Sequence, residues 1–268
     1  MNRFRFITRM VILGLSIILI SCEQGHEITI TRTPLLIGDS IVDLVLHETS
    51  VPGLTYLNLH DDENTSVRAA LDVIREHGGS VLELKHSGMR NITFELEGVK
   101  YEFDPNRMFN DQGAAASLER FGPVNDAAIS AVRSFADDVL QQILPPGSNV
   151  IVTLHNNEGR GYSILSYLPD GNYASEALDV HVGEGIDPHD FYFVTDLAIY
   201  HQLQEADLNV VLQDNVHVTD DGSLSVWCAQ NQLPYVNVEA QDGHRGSQAD
   251  MIVFLHGLFF PSRESVSP

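Results

Sequence analysis

The chain has 268 residues, with 15 lysines and arginines against 37 aspartates and glutamates and a formal net charge of −22. A surface this acidic repels phosphate backbones and anionic lipid headgroups, so nucleic-acid binding is excluded as a function class. Only two lysines occur, Lys85 and Lys100, and only two cysteines, Cys22 and Cys228.

Residues 1–9 carry Arg3, Arg5 and Arg9 and no acid, and residues 10–20 form an apolar run too short to span a bilayer. Together they read as an export signal. The run ends in Leu19-Ile20-Ser21-Cys22, which looks like a bacterial lipobox: small residues for cleavage, then a cysteine that takes the lipid. We expect residues 1–21 to be a removed signal peptide and Cys22 to be lipidated. The protein is then held in the bacterial cell envelope through its lipid alone, because no second apolar run reaches 18 residues. Cys228 is left without a partner for an internal disulfide and reads as a small buried apolar residue.

Residues 22–34 read as a polar tether, 35–260 as one domain of ordinary α/β size, and 261–268 as a disordered tail. Within the domain, apolar stretches alternate with amphipathic ones. Strands are expected at Ile41–His47, Leu54–His60, Val81–Lys85, Val150–His155, Phe191–Leu197, Val210–Leu212 and Tyr235–Glu239. Helices are expected at Thr65–His77, Asn125–Leu144, Leu197–Ala206, Ser223–Gln232 and Gln248–Gly257. In the second helix Ala128, Val132, Phe135, Val139 and Ile143 recur at helical spacing, and Pro145-Pro146-Gly147 stops it. Residues Tyr162–Asp190, rich in Gly, Pro, Asp and Asn, read as a long loop over the sheet. The expected fold class is α/β: a single domain with a mixed, mostly parallel twisted sheet flanked by helices.

Strands that end abruptly in polar residues are where α/β sheets place their sites. Tyr56-Leu57-Asn58-Leu59 runs into His60-Asp61-Asp62-Glu63, and Val150-Ile151-Val152-Thr153-Leu154 runs into His155. His-x-x-Glu lets an imidazole and a carboxylate converge on one ion. As a motif it is short, and this chain has three copies: His60/Glu63, His155/Glu158 and His181/Glu184. The first two histidines end apolar strands; His181 lies in the expected loop, where a solvated pair is the plainer reading. Two strand-end histidines and one carboxylate make the three-ligand set of a catalytic zinc site with its fourth position open. A histidine held in the core by hydrogen bonds is the plain alternative for either one alone.

Between these strands lies Phe103-Asp104-Pro105-Asn106-Arg107-Met108-Phe109. With it, the chain resembles the zinc carboxypeptidases of the M14 type and the related aspartoacylase and succinylglutamate desuccinylase group. Their order is His-x-x-Glu, an arginine, an Asn-Arg pair, a ligand histidine, then a late strand bearing a glutamate. The matching residues here are His60 and Glu63, Arg90, Asn106-Arg107, His155 and Glu239. The resemblance implies one zinc ion held by His60, Glu63 and His155. It implies Arg90 as the guanidinium that holds the oxyanion, Asn106 and Arg107 as the grip on the substrate carboxylate, and Glu239 as general base. Asp242, three residues on, also fits the pattern. The family's mobile tyrosine has no single match; Tyr162, Tyr192, Tyr200 and Tyr235 all stay open.

The chemistry asks for these residue types in its own right. A bound zinc ion makes hydroxide available near neutral pH, a carboxylate moves the proton, and a fixed guanidinium meets charge building on oxygen. A planar guanidinium also suits a free carboxyl group through two parallel hydrogen bonds. The expected function is hydrolysis of an amide bond next to a free carboxylate, in a peptide or N-acyl amino acid, with peptidoglycan stem peptides plausible from the location. A deacylase of the aspartoacylase kind is the alternative within the enzyme class, and a tethered binding protein that lost catalysis is the alternative outside it. Ser163 has no nucleophile elbow around it, Gly159-Arg160-Gly161 lacks a phosphate-loop pattern, and Trp227 reads as core.

Overall fold

Val152, Leu154, Val236 and Val238 alternate with polar residues along two segments, and both segments become central strands. The computed structural model describes residues 25–144 and 150–261. The expected signal peptide, Cys22, the Pro145-Pro146-Gly147 stop and residues 262–268 lie outside the described residues.

Nine strands form one sheet: β1 (Ile28–Ile37), β2 (Ser40–Thr49), β3 (Thr55–Asn58), β4 (Ser80–Lys85), β7 (Ile151–Asn157), β8 (Ala177–His181), β9 (Phe191–Val194), β10 (Val210–Gln213) and β11 (Tyr235–Gln241). Their order is β1-β2-β4-β3-β7-β11-β9-β10-β8. The sheet is mixed: β4, β3, β7 and β11 pair in parallel as a central block, and antiparallel partners β2 and β9 flank it. Strands β5 (Ile92–Leu96) and β6 (Val99–Phe103) make a separate hairpin.

Helices cover both faces, as a parallel block with two apolar sides requires. On one face α1 (Asn64–His77), α4 (Leu197–Glu205) and α6 (Arg245–Phe259) pack Ile74, Leu203 and Leu255 against Tyr56, Val152, Val194 and Val238. On the other, α2 (Asp111–Phe121), α3 (Asp126–Ile143) and α5 (Leu224–Gln230) pack Leu118, Phe135 and Leu224 with Ile151, Phe191, Tyr235 and the hairpin's Phe94 and Phe103. All five α3 residues singled out by their spacing are buried, and the Asn125 side chain caps that helix by accepting from Ala128 N.

Two expectations are corrected, and two elements were not foreseen. Residues 28–34 are not tether but the first part of β1, an edge strand in register with β2. Its β-branched residues favour extended backbone, yet only Ile37 among them is buried, so no apolar alternation marks residues 28–34. The hairpin turns through Glu97 and Gly98 at φ 54° and 75°, the two positive values a tight two-residue turn needs. Helix α2 is rich in Gly and Ala, which leaves little apolar periodicity to read. Finally, β8 lies inside the stretch expected to be all loop and closes the far edge against β10. Among the described residues no helix is long and apolar enough to cross a membrane.

Candidate active site

The carboxyl ends of β3, β7 and β11 lie side by side in the parallel block, and each delivers one functional group. The chain leaves β3 at Asn58 and turns through His60-Asp61-Asp62. Glu63 then occupies the N-cap of α1. His60 Nδ1 lies 2.9 Å from Glu63 Oε1, His155 Nδ1 lies 3.0 Å from Glu63 Oε2, and the two Nδ1 atoms are 3.1 Å apart. All three residues are buried.

A buried scaffold fixes this spacing. Ser66 Oγ donates to Glu63 O, and Ser66 N donates to Asn156 Oδ1. Asn156 Nδ2 donates in turn to Gln248 Oε1 on α6, and Gln248 Nε2 donates to the carbonyls of His155 and Val238. The start of α1 is thereby tied to both central strands.

The donor set fits a zinc ion. Two imidazole nitrogens and a carboxylate are a catalytic zinc combination, and a tetrahedral ion with bonds of about 2.0–2.1 Å spaces its ligands roughly 3.3 Å apart, close to the separations here. Among the described residues this is the single cluster of metal-ligand type. Asp104 Oδ1 takes His60 Nε2 at 2.9 Å. That contact fixes the ring and leaves Nδ1 for an ion.

Burial alone would lower the His60 pKa, but the charges of Glu63 and Asp104 outweigh it and carry the ring up to about 9. Burial lowers His155, with Glu63 offsetting part of the effect. Glu63 resists the upward push of burial because the two imidazoles hold it well below the usual carboxylate range.

Glu239 lies opposite His155 in the register of β7 and β11 and is 4% exposed. Asn157 Nδ2 donates to its Oε1 and Asn237 Nδ2 to its Oε2, each at 3.1 Å. Burial and the nearby Glu63 charge push this carboxyl up to about 7, against the pull of the two amides and Arg90.

Arg90 donates through Nη1 to Glu63 Oε1. Its loop is pinned by buried Asp61, whose Oδ2 accepts the N–H groups of His86 and Gly88 at 2.8 and 2.7 Å, while Lys85 Nζ lies 2.6 Å from Oδ1. Arg107 ends a 3-10 turn, Pro105–Arg107, capped by Asp104. Its Nε lies 3.2 Å from Asp221 Oδ2, and Nη1 donates to Asn106 O at 2.6 Å. Of five N–H donors one on Nη1 is committed to a hydrogen bond, and the Nη2 pair stays open for a ligand. Asn106 Oδ1 accepts from Leu224 N. Two glycines make room for this arrangement: a Cβ on Gly113 or Gly222 would come within 2.8 Å of Arg107 O, and Gly222 also has φ +76°.

A cavity of about 640 Å³ opens over these groups, lined by Glu63, Arg90, Asn106, Arg107, His155 and Glu239. Of the candidate tyrosines, Tyr162 and Tyr235 line it. Tyr192 and Tyr200 belong to the core on the opposite face. Tyr167 and Tyr173 join the wall, and Tyr162 and Tyr167 share a hydroxyl–hydroxyl bond at 2.8 Å.

Other residues stay apart from the site. Asp242 is exposed and accepts from Thr65 Oγ1. His181 pairs with Asp207 at the surface, Glu184 with it only through backbone. Glu158 and Arg160 reach no further than the cavity rim, exposed. Cys228 is fully buried, its thiol pushed up to about 12 by burial.

Sequence reasoning missed Asp104, Asn157, Asn237 and Asp221. The first three carried a signal: Asp104 lies two residues before Asn106, and the asparagines stand two positions from His155 and Glu239 on strands where side chains alternate.

No family model matches the chain, and no curated protein does. Solved structures give remote likenesses. A succinylglutamate desuccinylase/aspartoacylase from Rhodobacter sphaeroides is 13% identical, with 88% of this chain and 66% of that one covered at a TM-score of 0.42. A murein-tripeptide amidase from Escherichia coli O157 is 14% identical, with 84% and 88% covered at 0.41. An ectoine utilization protein from Ruegeria pomeroyi is 13% identical, with 88% and 67% covered at 0.43. This chain therefore spans about two thirds of the length of the first and third. None of these likenesses assigns a role to a residue.

Proposed function

We propose that this chain is a zinc-dependent hydrolase that cleaves an amide bond next to a free carboxylate, in a peptide or N-acyl amino acid. The observation that carries the proposal is the meeting of three groups at one cavity: the His60/Glu63/His155 set, a buried carboxylate with no cationic partner among the described residues, and the guanidiniums of Arg90 and Arg107.

Each group has a task. An ion held by His60, Glu63 and His155 would supply a Lewis acid and lower the pKa of bound water towards about 7. Glu239 takes a proton from the attacking water and passes it to the leaving nitrogen; a carboxyl near pH 7 is matched to both transfers. Arg90 meets negative charge growing on the carbonyl oxygen. Arg107, anchored at Nε by Asp221, turns its remaining N–H groups on the substrate carboxylate, and Asn106 lines the same wall. Tyr162, Tyr167, Tyr173 and Tyr235 are the tyrosines that line the cavity.

The proposal includes export and lipid attachment at Cys22, supported by the Leu19–Cys22 sequence, and with it peptidoglycan stem peptides as substrate. The test is zinc content and turnover on one preparation of the soluble domain, incubated with envelope peptides and with N-acyl amino acids. About one zinc per chain, lost in His60→Ala and His155→Ala together with turnover, is expected. Full zinc retention in both variants overturns the ligand assignment.

A further inference from the structure

The side chains of β7 and β11 alternate so that Thr153, His155 and Asn157 share a face with Tyr235, Asn237 and Glu239. The parallel register sets Asn237 beside Thr153 and Glu239 beside His155. Asn237 therefore lies one step before the Glu239–His155 level and Asn157 one step beyond it. Two buried amides reach the carboxylate from opposite ends, one to each oxygen, both at 3.1 Å.

Each amide also has a partner other than the carboxylate. Asn157 Nδ2 also donates to His189 O at 2.8 Å, and its Oδ1 accepts from Gly159 N. Asn237 Oδ1 lies 3.4 Å from Thr153 Oγ1, which is itself bonded to Tyr235 O–H at 2.6 Å. Two outside bonds orient Asn157 and one longer contact orients Asn237, and with the carboxylate as acceptor both N–H groups are aimed at Glu239.

We infer that Asn157 and Asn237 are positioning residues that hold the Glu239 carboxylate away from Arg90, so that base and oxyanion guanidinium act as separate groups. This rests on the reading of Glu239 as the base. A glutamate has three side-chain torsions, and the guanidiniums of Arg90 and Arg107 line the same cavity. Left untethered, the carboxylate gains a charge-assisted bond by swinging to one of them, which would remove the base and occupy an arginine in one movement. The two amides make the productive rotamer the satisfied one, and one acceptor direction per oxygen stays open towards the cavity.

The test uses Asn157→Leu and Asn237→Leu, with Asn157→Ser and Asn237→Thr as smaller changes that keep a donor. Displacing a reacting group by about 1 Å can cost on the order of 100-fold, so each leucine variant should lose 10- to 100-fold in kcat, with KM within about 3-fold and zinc content unchanged. The donor-keeping variants should recover part of the loss. In a Glu239→Gln background the leucine substitutions should change residual turnover by less than about 2-fold, because residues that act through one group are not additive. A crystal structure of Asn237→Leu should find Glu239 against Arg90. Equal losses in both backgrounds, or a loss confined to KM, would overturn the inference. Normal turnover in Glu239→Gln alone would instead remove the base assignment itself.

Discussion

Replacing Glu239 by glutamine should make the protein more stable at alkaline pH while removing its activity. The native carboxyl titrates near 7 against an ordinary value of 4.5. Between those values the native state keeps a proton that the unfolded chain has released, so stability falls as pH rises and the full cost is reached above pH 7. A shift of roughly 2.5 units corresponds to about 3 kcal/mol. Glutamine is neutral throughout, so Glu239→Gln escapes this cost at pH 8 and gains nothing below about pH 4.5.

One offset must be counted. Glutamine offers a single acceptor where the carboxylate offered two, and an orphaned buried amide costs about 1–3 kcal/mol. A flip of the Asn237 amide relieves it, because Oδ1 then faces the new N–H and Nδ2 faces Thr153 Oγ1. The net gain at pH 8 is then about 2–3 kcal/mol, or roughly 5–10 °C in Tm for a domain of this size. Unfolding of parent and variant, each with a chelator at pH 5 and pH 8, measures it. Equal stability at pH 8, or the same gain at both pH values, refutes the reasoning.

Three further outcomes follow from the geometry. Asp104→Asn should weaken zinc binding about 10- to 100-fold with the fold intact, because it loosens His60 through its other nitrogen; titration with a zinc indicator measures this, and unchanged affinity removes Asp104 from the site. Gly222→Ala adds a Cβ 2.7 Å from Gly113 Cα at φ +76°, which should cost at least about 1 kcal/mol and raise KM for carboxylate substrates more than it lowers kcat; an unchanged KM would detach Asp221 and Arg107 from substrate binding. Cys22→Ser should move the protein out of the membrane fraction of cells, and retention there places the anchor elsewhere.

What could be read in the sequence was what burial forces into a pattern. His60, His155 and Glu239 interrupt or end apolar runs, and a polar group in that place needs a reason, so each stood out. The central parallel strands and α3 stood out likewise, since both carry apolar residues at a fixed period. Features whose residues face water or are small left no such trace: the outer part of β1, β8, and α2 with its glycine and three alanines. The hairpin does alternate, with Ile92, Phe94, Tyr101 and Phe103 buried, but its two strands are short and went unread. Contacts across long separations were invisible for a different reason. Asp221 is an ordinary surface acid until the Gly113–Gly222 contact sets it beside Arg107. Asn157 and Asn237 look like unremarkable strand polars until the register of β7 and β11 aligns them on one carboxylate.

Gln248 gives the site an order of assembly. It is the residue through which α6 grips the backbone of His155 and Val238 and, by way of Asn156, the start of α1. Every proposed metal ligand and the proposed base precede it in the chain. A nascent chain can thus contain all of these groups before the element that locks their spacing has arrived. If these ligands hold zinc as proposed, fragments ending before Gln248 should hold it more loosely than the whole domain although no ligand is missing from them.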